Sequence, residues 1–420
     1  MKSVLGQPAV FAKNRIMFLK KGGMLGLAAI LPGGQALAMV ALAGLLHGAS
    51  SGSRVGLVLQ LAGLSTVAFV GVTILVVNRC GAKTSEWRVR LHELRLLARC
   101  ASLISATVYA GFVAFLASLE ELAGAGLVFA IASGVAVSCI PLLSWQAGVM
   151  QVLDLERLNL VWGVLIAIAP VVALILLRGC AASVALGVAG SVWSLVVVAS
   201  VLHREYAASR AGATIGRVPP GVAGLRGVVR DLISSLLGAS DGLMMMVVFT
   251  VLLTLAHIAG DSEALGVAFA INVARIFVLP LKQFGMVGGR LVLQGAGAVS
   301  SYVGLMCAVL SIIAIALVAC AMLDIHLSGV SPELFLLLAL QMTIEPFGAF
   351  LSTMRKVIEG PSATVAGLAV CLVLVVAASC CLLYFGLFTA VNVWLVWVAG
   401  RIVFAVSTCV GLRSRELTAT

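Results

Sequence analysis

Apolar residues fall in continuous runs, each about as long as the ~20 residues an α-helix needs to cross hydrocarbon, and polar residues fall between the runs. A transmembrane barrel would instead alternate apolar and polar side chains along each strand. Lipid offers no hydrogen bonds to a bare backbone, so helices that close their own ladders are the remaining way to span it. About twelve spans are predicted, at 22–47, 55–78, 96–118, 123–146, 158–177, 181–202, 232–258, 264–289, 302–323, 332–354, 362–386 and 388–412. The expected fold class is all-α, a polytopic membrane protein.

Composition agrees. The chain is 62% hydrophobic and 10% charged, against about 25% charged residues in soluble domains. Its net charge is +11, but the basic residues cluster in short connections, so they set topology and do not point to a nucleic-acid partner. The cysteines lie mostly in or beside apolar runs, among them Cys100, Cys139, Cys307, Cys320, Cys371 and Cys409. No C-x-x-C pair or zinc-type spacing occurs, so they read as small core residues, and no metal or cofactor is expected.

Basic residues alternate between connections. Lys20 and Lys21 precede the first span; Arg79, Lys83, Arg88, Arg90 and Arg95 follow the second; Arg204, Arg210, Arg217, Arg226 and Arg230 follow the sixth. Arg290 follows the eighth, Arg355 and Lys356 the tenth, and Arg413 and Arg415 the last. The intervening connections carry Glu120, Glu121, Asp261, Glu263, Asp324 and Glu333, with only Arg54 and Arg178 on the basic side. The positive-inside rule then predicts that both termini are cytoplasmic, and the expected location is the bacterial inner membrane. Ala36-Leu37-Ala38 resembles a signal-peptide cleavage site, but the apolar run continues to Leu46, so an uncleaved first helix is expected.

The expected organisation is a cytoplasmic tail at 1–21, a six-helix lobe at 22–202, a linker at 203–231 containing Pro219-Pro220, a second lobe at 232–412 and a tail at 413–420. The halves resemble each other. His47 and Gly56 match His257 and Gly266 at an offset of 210; Pro141, Val152, Leu153 and Asp154 match Pro346, Val357, Ile358 and Glu359 at 205. Each half begins on the same side with six spans, as in a parallel repeat, an architecture that places substrate between halves.

Ionisable groups inside spans are costly and therefore functional candidates. Asp241 lies eleven residues beyond Arg230, roughly 16 Å into the seventh span. Glu345, Arg275 and Arg401 fall about midway along the tenth, eighth and twelfth spans, with Lys282 nearer the end of the eighth. The first half offers only neutral groups at depth: Gln35, Gln60, Asn78 and Tyr109. Asp241 and Glu345 are candidates for an ion-coupling pair (proton or sodium), since burial favours the neutral form of a lone carboxyl. Arg275, Arg401 and Lys282 are candidates for binding an anionic substrate, because guanidinium forks match phosphate oxygens. The alternative is static pairing, for example Asp241–Arg275 and Glu345–Arg401, with Lys282 snorkelling.

Several local patterns carry a family resemblance: Leu31-Pro32-Gly33-Gly34-Gln35 in the first span, Trp145 to Gln151 leading into Asp154-Leu155-Glu156-Arg157, Pro346-Phe347-Gly348 leading to Arg355 through Gly360, and Ala274-Arg275-Ile276-Phe277 with Pro280 and Gly285. On these the chain resembles the multidrug/oligosaccharidyl-lipid/polysaccharide (MOP) exporter superfamily, which includes polysaccharide-export flippases and multidrug and toxic-compound extrusion (MATE) transporters. The resemblance implies two six-helix repeats, a transporter and no enzyme. It also implies that acids in the seventh and tenth helices carry a coupling ion in extruders. Two functions follow as expectations: flipping of a lipid-linked oligosaccharide for exopolysaccharide synthesis beside other polysaccharide-assembly proteins, or proton- or sodium-coupled extrusion of an amphiphilic small molecule. Membrane lipids are partners in both. No P-loop, G-x-S-x-G or H-E-x-x-H occurs to support an enzyme.

Overall fold

In a computed structural model, the described residues are 7–69, 71–83, 86–118, 122, 124–211, 225–322 and 331–416. The helices are α1 (Gln7–His47), α2 (Ala49–Thr66), α3 (Gly71–Cys80), α4 (Trp87–Ser118), α5 (Ala125–Val152), α6 (Glu156–Leu176), α7 (Ala182–Arg210), α8 (Leu225–Ala259), α9 (Asp261–Leu293), α10 (Val299–Met322), α11 (Pro332–Ile344), α12 (Leu351–Glu359), α13 (Val365–Tyr384) and α14 (Ala390–Glu416). A 3₁₀ turn, Val67–Phe69, continues α2 toward α3, and a π-helical turn, Pro346–Phe350, joins α11 to α12. Counting each joined pair as one, twelve helices among the described residues are long and apolar enough to cross a membrane, from Asn14–His47 to Ala390–Val410. The chain is thus an all-α, multi-pass membrane protein. Large apolar side chains such as Leu45 (82% exposed) and Leu176 (76%) face outward in numbers that only a lipid surround accommodates.

By contact the chain divides into two units, Leu27–Ala239 on one hand and Met1–Gly26 with Ser240–Thr420 on the other, so the boundaries fall inside α1 and α8. In the first, the fourth span lies against the second, third and sixth, and the fifth against the sixth. In the other, the tenth lies against the eighth, ninth and twelfth, and the eleventh against the twelfth. The same neighbour order recurs, as a duplicated six-helix unit requires.

Several ends differ from the sequence reading. Helix α1 starts well inside the segment read as a tail, and Phe18 is wholly buried against Phe284, Tyr302 and Phe350, with ring centroids 5.5, 4.8 and 6.0 Å away. Arg290 does not follow the eighth span; it is fully buried within α9. Arg355 and Lys356 are likewise not loop charges. The tenth span runs on to Glu359 and stops at Gly360, whose φ of 124° ends the helix. Both basic side chains are buried there, so they do not count toward the topology rule.

Of the tryptophans, Trp145, Trp193, Trp394 and Trp397 are packing groups, and Trp162 donates to His203 Nδ1 at 2.9 Å. Glu120, Glu121, Asp324, Arg217 and Pro219-Pro220 lie outside the described residues.

Candidate functional site

In Leu27–Ala239, some buried neutral polar groups bond to nearby backbone. Tyr109 donates to Ala130 O at 3.2 Å and lies 3.3 Å from Ser133 Oγ. Charged pairs gather near span ends: Arg79–Asp231 at 2.6 Å, Arg95–Glu205 at 2.7 Å and Lys83–Asp154 at 3.6 Å.

The other unit concentrates buried charge. Pro346 follows Glu345 and has no N–H to continue the ladder. The helix responds with a π turn: Phe350 N–H donates to Glu345 O, five residues back, at 3.2 Å. Ala349 N–H, displaced from its usual carbonyl, donates to Glu345 Oε2 at 3.1 Å. Gln341 Nε2 donates to Glu345 Oε1 at 3.0 Å. From α14, Arg401 completes the carboxylate's shell, Nε to Oε1 at 3.0 Å and Nη2 to Oε2 at 2.5 Å. Glu345 is 0% exposed and Arg401 3%. The guanidinium is also flanked by Trp397 and Phe404, 5.9 and 4.9 Å to the ring centroids. Each oxygen of Glu345 accepts two hydrogen bonds, which closes this pair.

Asp241 is held differently. Lys356 Nζ donates to Asp241 Oδ1 at 2.6 Å and to Ser240 Oγ at 3.0 Å. The Lys356 side chain is 0% exposed, whereas that of Asp241 is 10% exposed and its second oxygen has no hydrogen bond among the described residues. Lys282 of α9 is half-buried and lies in the electrostatic field of Asp241, Lys356, Arg401 and Glu345. Among the described residues it forms no hydrogen bond or ion pair. Arg275 is exposed, makes no ion pair among the described residues, and lies 5.3 Å over the ring of Phe249.

Of the five residues singled out from the sequence, four come together: Asp241, Glu345, Arg401 and Lys282. The two acids do not face each other as a bare pair. Each holds a cation of its own, because an unneutralised carboxylate in oil is far costlier than a paired one. The Glu345–Arg401 pairing follows the static alternative; the Asp241–Arg275 pairing does not form, since Lys356 takes Asp241. Lys356 is the site residue missed in the sequence. The signal was available: helical residues run unbroken to Glu359 and Gly360 marks the stop, about four turns beyond Glu345. No group of three or more His, Cys, Asp or Glu gathers among the described residues.

No family model and no curated protein matches the sequence. Solved structures do match. A crystal structure of MATE in the bent conformation is 17% identical, covers 100% of both chains and has a TM-score of 0.76. The chain has the MATE fold. A eukaryotic MATE transporter, AtDTX14, superimposes at a TM-score of 0.76 with 16% identity over 96% of each chain. A MOP superfamily transporter from Pyrococcus furiosus, described as having a binding pocket of reverse polarity, gives 0.72 with 17% identity over 96% of this chain and 97% of its own. The structures that share this MATE fold are of transporters, not enzymes.

Proposed function

We propose that the chain is a MATE-type exporter of the bacterial inner membrane, with both termini cytoplasmic, moving an amphiphilic small molecule by alternating access of its six-helix halves. The MATE fold supports this reading, and the contrast between the two buried pairs carries it. Glu345–Arg401 is saturated and serves as a fixed strut. Asp241 keeps an open edge beside Lys282, so it is the carboxylate that can change partners during a cycle and couple to a proton or sodium ion. Arg401, though basic and deep, has its charge balanced by Glu345, which leaves Lys282 as the substrate-facing cation and Arg275 as an accessory one.

The test is efflux from vesicles reconstituted with the full chain. Imposed pH or sodium gradients are expected to drive movement of a fluorescent amphiphile, and Asp241→Asn is expected to remove the gradient dependence. Gradient-driven movement that survives Asp241→Asn would refute the coupling role.

A second reading, flipping of a lipid-linked oligosaccharide, is favoured by one observation: three cations stand against two carboxylates in the cluster. The reverse-polarity pocket described for the Pyrococcus furiosus relative is compatible with more than one pocket charge on this fold. Loss of surface polysaccharide in cells carrying Lys282→Gln at normal protein level would select this reading.

A further inference from the structure

We propose that the groove between the end of α7 and the start of α6 binds the phosphate of an anionic phospholipid from the surrounding leaflet, held by Arg210, Tyr206 and the Nε2–H of His203. The lipid is a fixed neighbour of the fold, and the inference is independent of what the chain carries.

The groove has a volume of about 340 Å³ and is lined by Leu155, His203, Tyr206, Ala207, Arg210 and Ala211. That is the small end of the range for ligand-sized cavities. Its walls belong to one compact unit, Leu27–Ala239. His203, Tyr206 and Arg210 fall at i, i+3 and i+7 of α7, which puts them on one helix face.

Each brings a donor that no protein group takes up. Among the described residues Arg210 forms no ion pair or hydrogen bond, and neither does the Tyr206 hydroxyl. His203 is pinned in one donor form. Trp162 Nε1 lies 2.9 Å from His203 Nδ1, and an indole N–H can only donate, so Nδ1 is the bare acceptor nitrogen. The ring proton then sits on Nε2, which makes no hydrogen bond among the described residues. A guanidinium, a hydroxyl and an imidazole N–H around one groove complement the anionic oxygens of a phosphodiester. Of the acids that flank the lining residues in sequence, Glu205 is held by Arg95 at 2.7 Å, Asp154 by Lys83 at 3.6 Å, and Glu156 is buried. The positive charge of Arg210 is therefore left for a ligand.

Depth in the membrane favours a lipid over a free anion. His203 lies twenty-one residues beyond Ala182, the start of α7, roughly 32 Å along the helix and close to the ~30 Å thickness of the hydrocarbon. Arg210 is seven residues further, in the headgroup layer. Indole rings such as that of Trp162 favour this boundary. Toward the bilayer centre, Leu195 and Leu202 lie on the same helical stripe as Tyr206 and are 69% and 63% exposed. They form a track for an acyl chain. A free anion would use the donors and leave the track bare, whereas a phospholipid uses both. On the proposed topology this is the cytoplasmic leaflet, whose anionic lipids attract basic groups.

The experiment is thermal unfolding of the full chain in an uncharged detergent, titrated with phosphatidylglycerol, phosphatidylcholine or inorganic phosphate. Saturable stabilisation by phosphatidylglycerol is expected, with little from the other two at the same concentrations. Arg210→Gln is expected to weaken the apparent affinity about tenfold, the loss for one charge-assisted contact. Arg88→Gln, which removes the same charge from an exposed position of α4, is expected to leave it unchanged. His203→Phe, which has no N–H, is expected to weaken it several-fold, while His203→Gln, which keeps one at similar reach, holds it near wild type. The proposal is overturned if phosphatidylglycerol stabilises no better than phosphatidylcholine, or if inorganic phosphate alone reproduces its effect. It is equally overturned if Arg210→Gln and Arg88→Gln weaken binding alike, since the attraction would then be diffuse surface charge and not this groove. Should a variant fail to fold, the comparison of probes on wild type still decides.

Discussion

Arg401 grips Glu345 through two parallel hydrogen bonds one residue before a π-helical turn, so the same carboxylate closes an ion pair and repairs the broken backbone ladder of the tenth span. Buried pairs contribute little net stability when whole but cost about 3–5 kcal/mol when one partner is removed. Arg401→Ala is therefore expected to destabilise by about that amount, and Glu345→Gln by somewhat less, since an amide can still accept from Ala349 N–H. Denaturation of the purified variants in detergent checks this. A double variant, Glu345→Gln with Arg401→Met, is expected to recover part of the loss; additive losses would show that the two side chains act separately.

Gly348 is set by the same pair. A Cβ there would stand 2.7 Å from Arg401 Nη2 and 3.0 Å from Glu345 Oε2. Gly348→Ala is expected to cost about 1–3 kcal/mol through overpacking. The loss should shrink when Arg401→Met is already present. A melting temperature equal to wild type would show that the π turn can shift to make room.

For Asp241 and Lys356 the expectation is coupling of the same sign, with fuller rescue. Asp241→Asn leaves a buried ammonium without its carboxylate and should cost about 3 kcal/mol, at the low end for a buried pair because the carboxylate edge is open. Lys356→Met added to Asp241→Asn should restore most of it. A double-mutant cycle on unfolding midpoints measures the interaction, and an interaction near zero would show that the contact carries no energy.

Phe18 tests the start of the first helix. Its ring is wholly buried among Phe284, Tyr302 and Phe350. Phe18→Ala is expected to cost about 3–5 kcal/mol, whereas a substitution in a solvated tail would leave the melting temperature unchanged.

The sequence by itself determined the class of molecule. Twelve apolar runs, too long and too continuous for anything but membrane helices, were legible because lipid forces each helix to satisfy its own backbone and to wear apolar side chains outward. Asp241, Glu345, Arg401 and Lys282 were legible for the same reason: a charge within an apolar run is conspicuous. Helix ends were less legible. Arg290, Arg355 and Lys356 looked like loop charges because hydropathy drops before the helix stops, and only the packed structure carries them inside. Pairing was decided by tertiary structure alone. Which carboxylate meets which cation depends on how the helices are rotated against one another, and no local propensity encodes that. Lys356, rather than Arg275, therefore neutralises Asp241, and one acid is sealed while the other keeps an open edge.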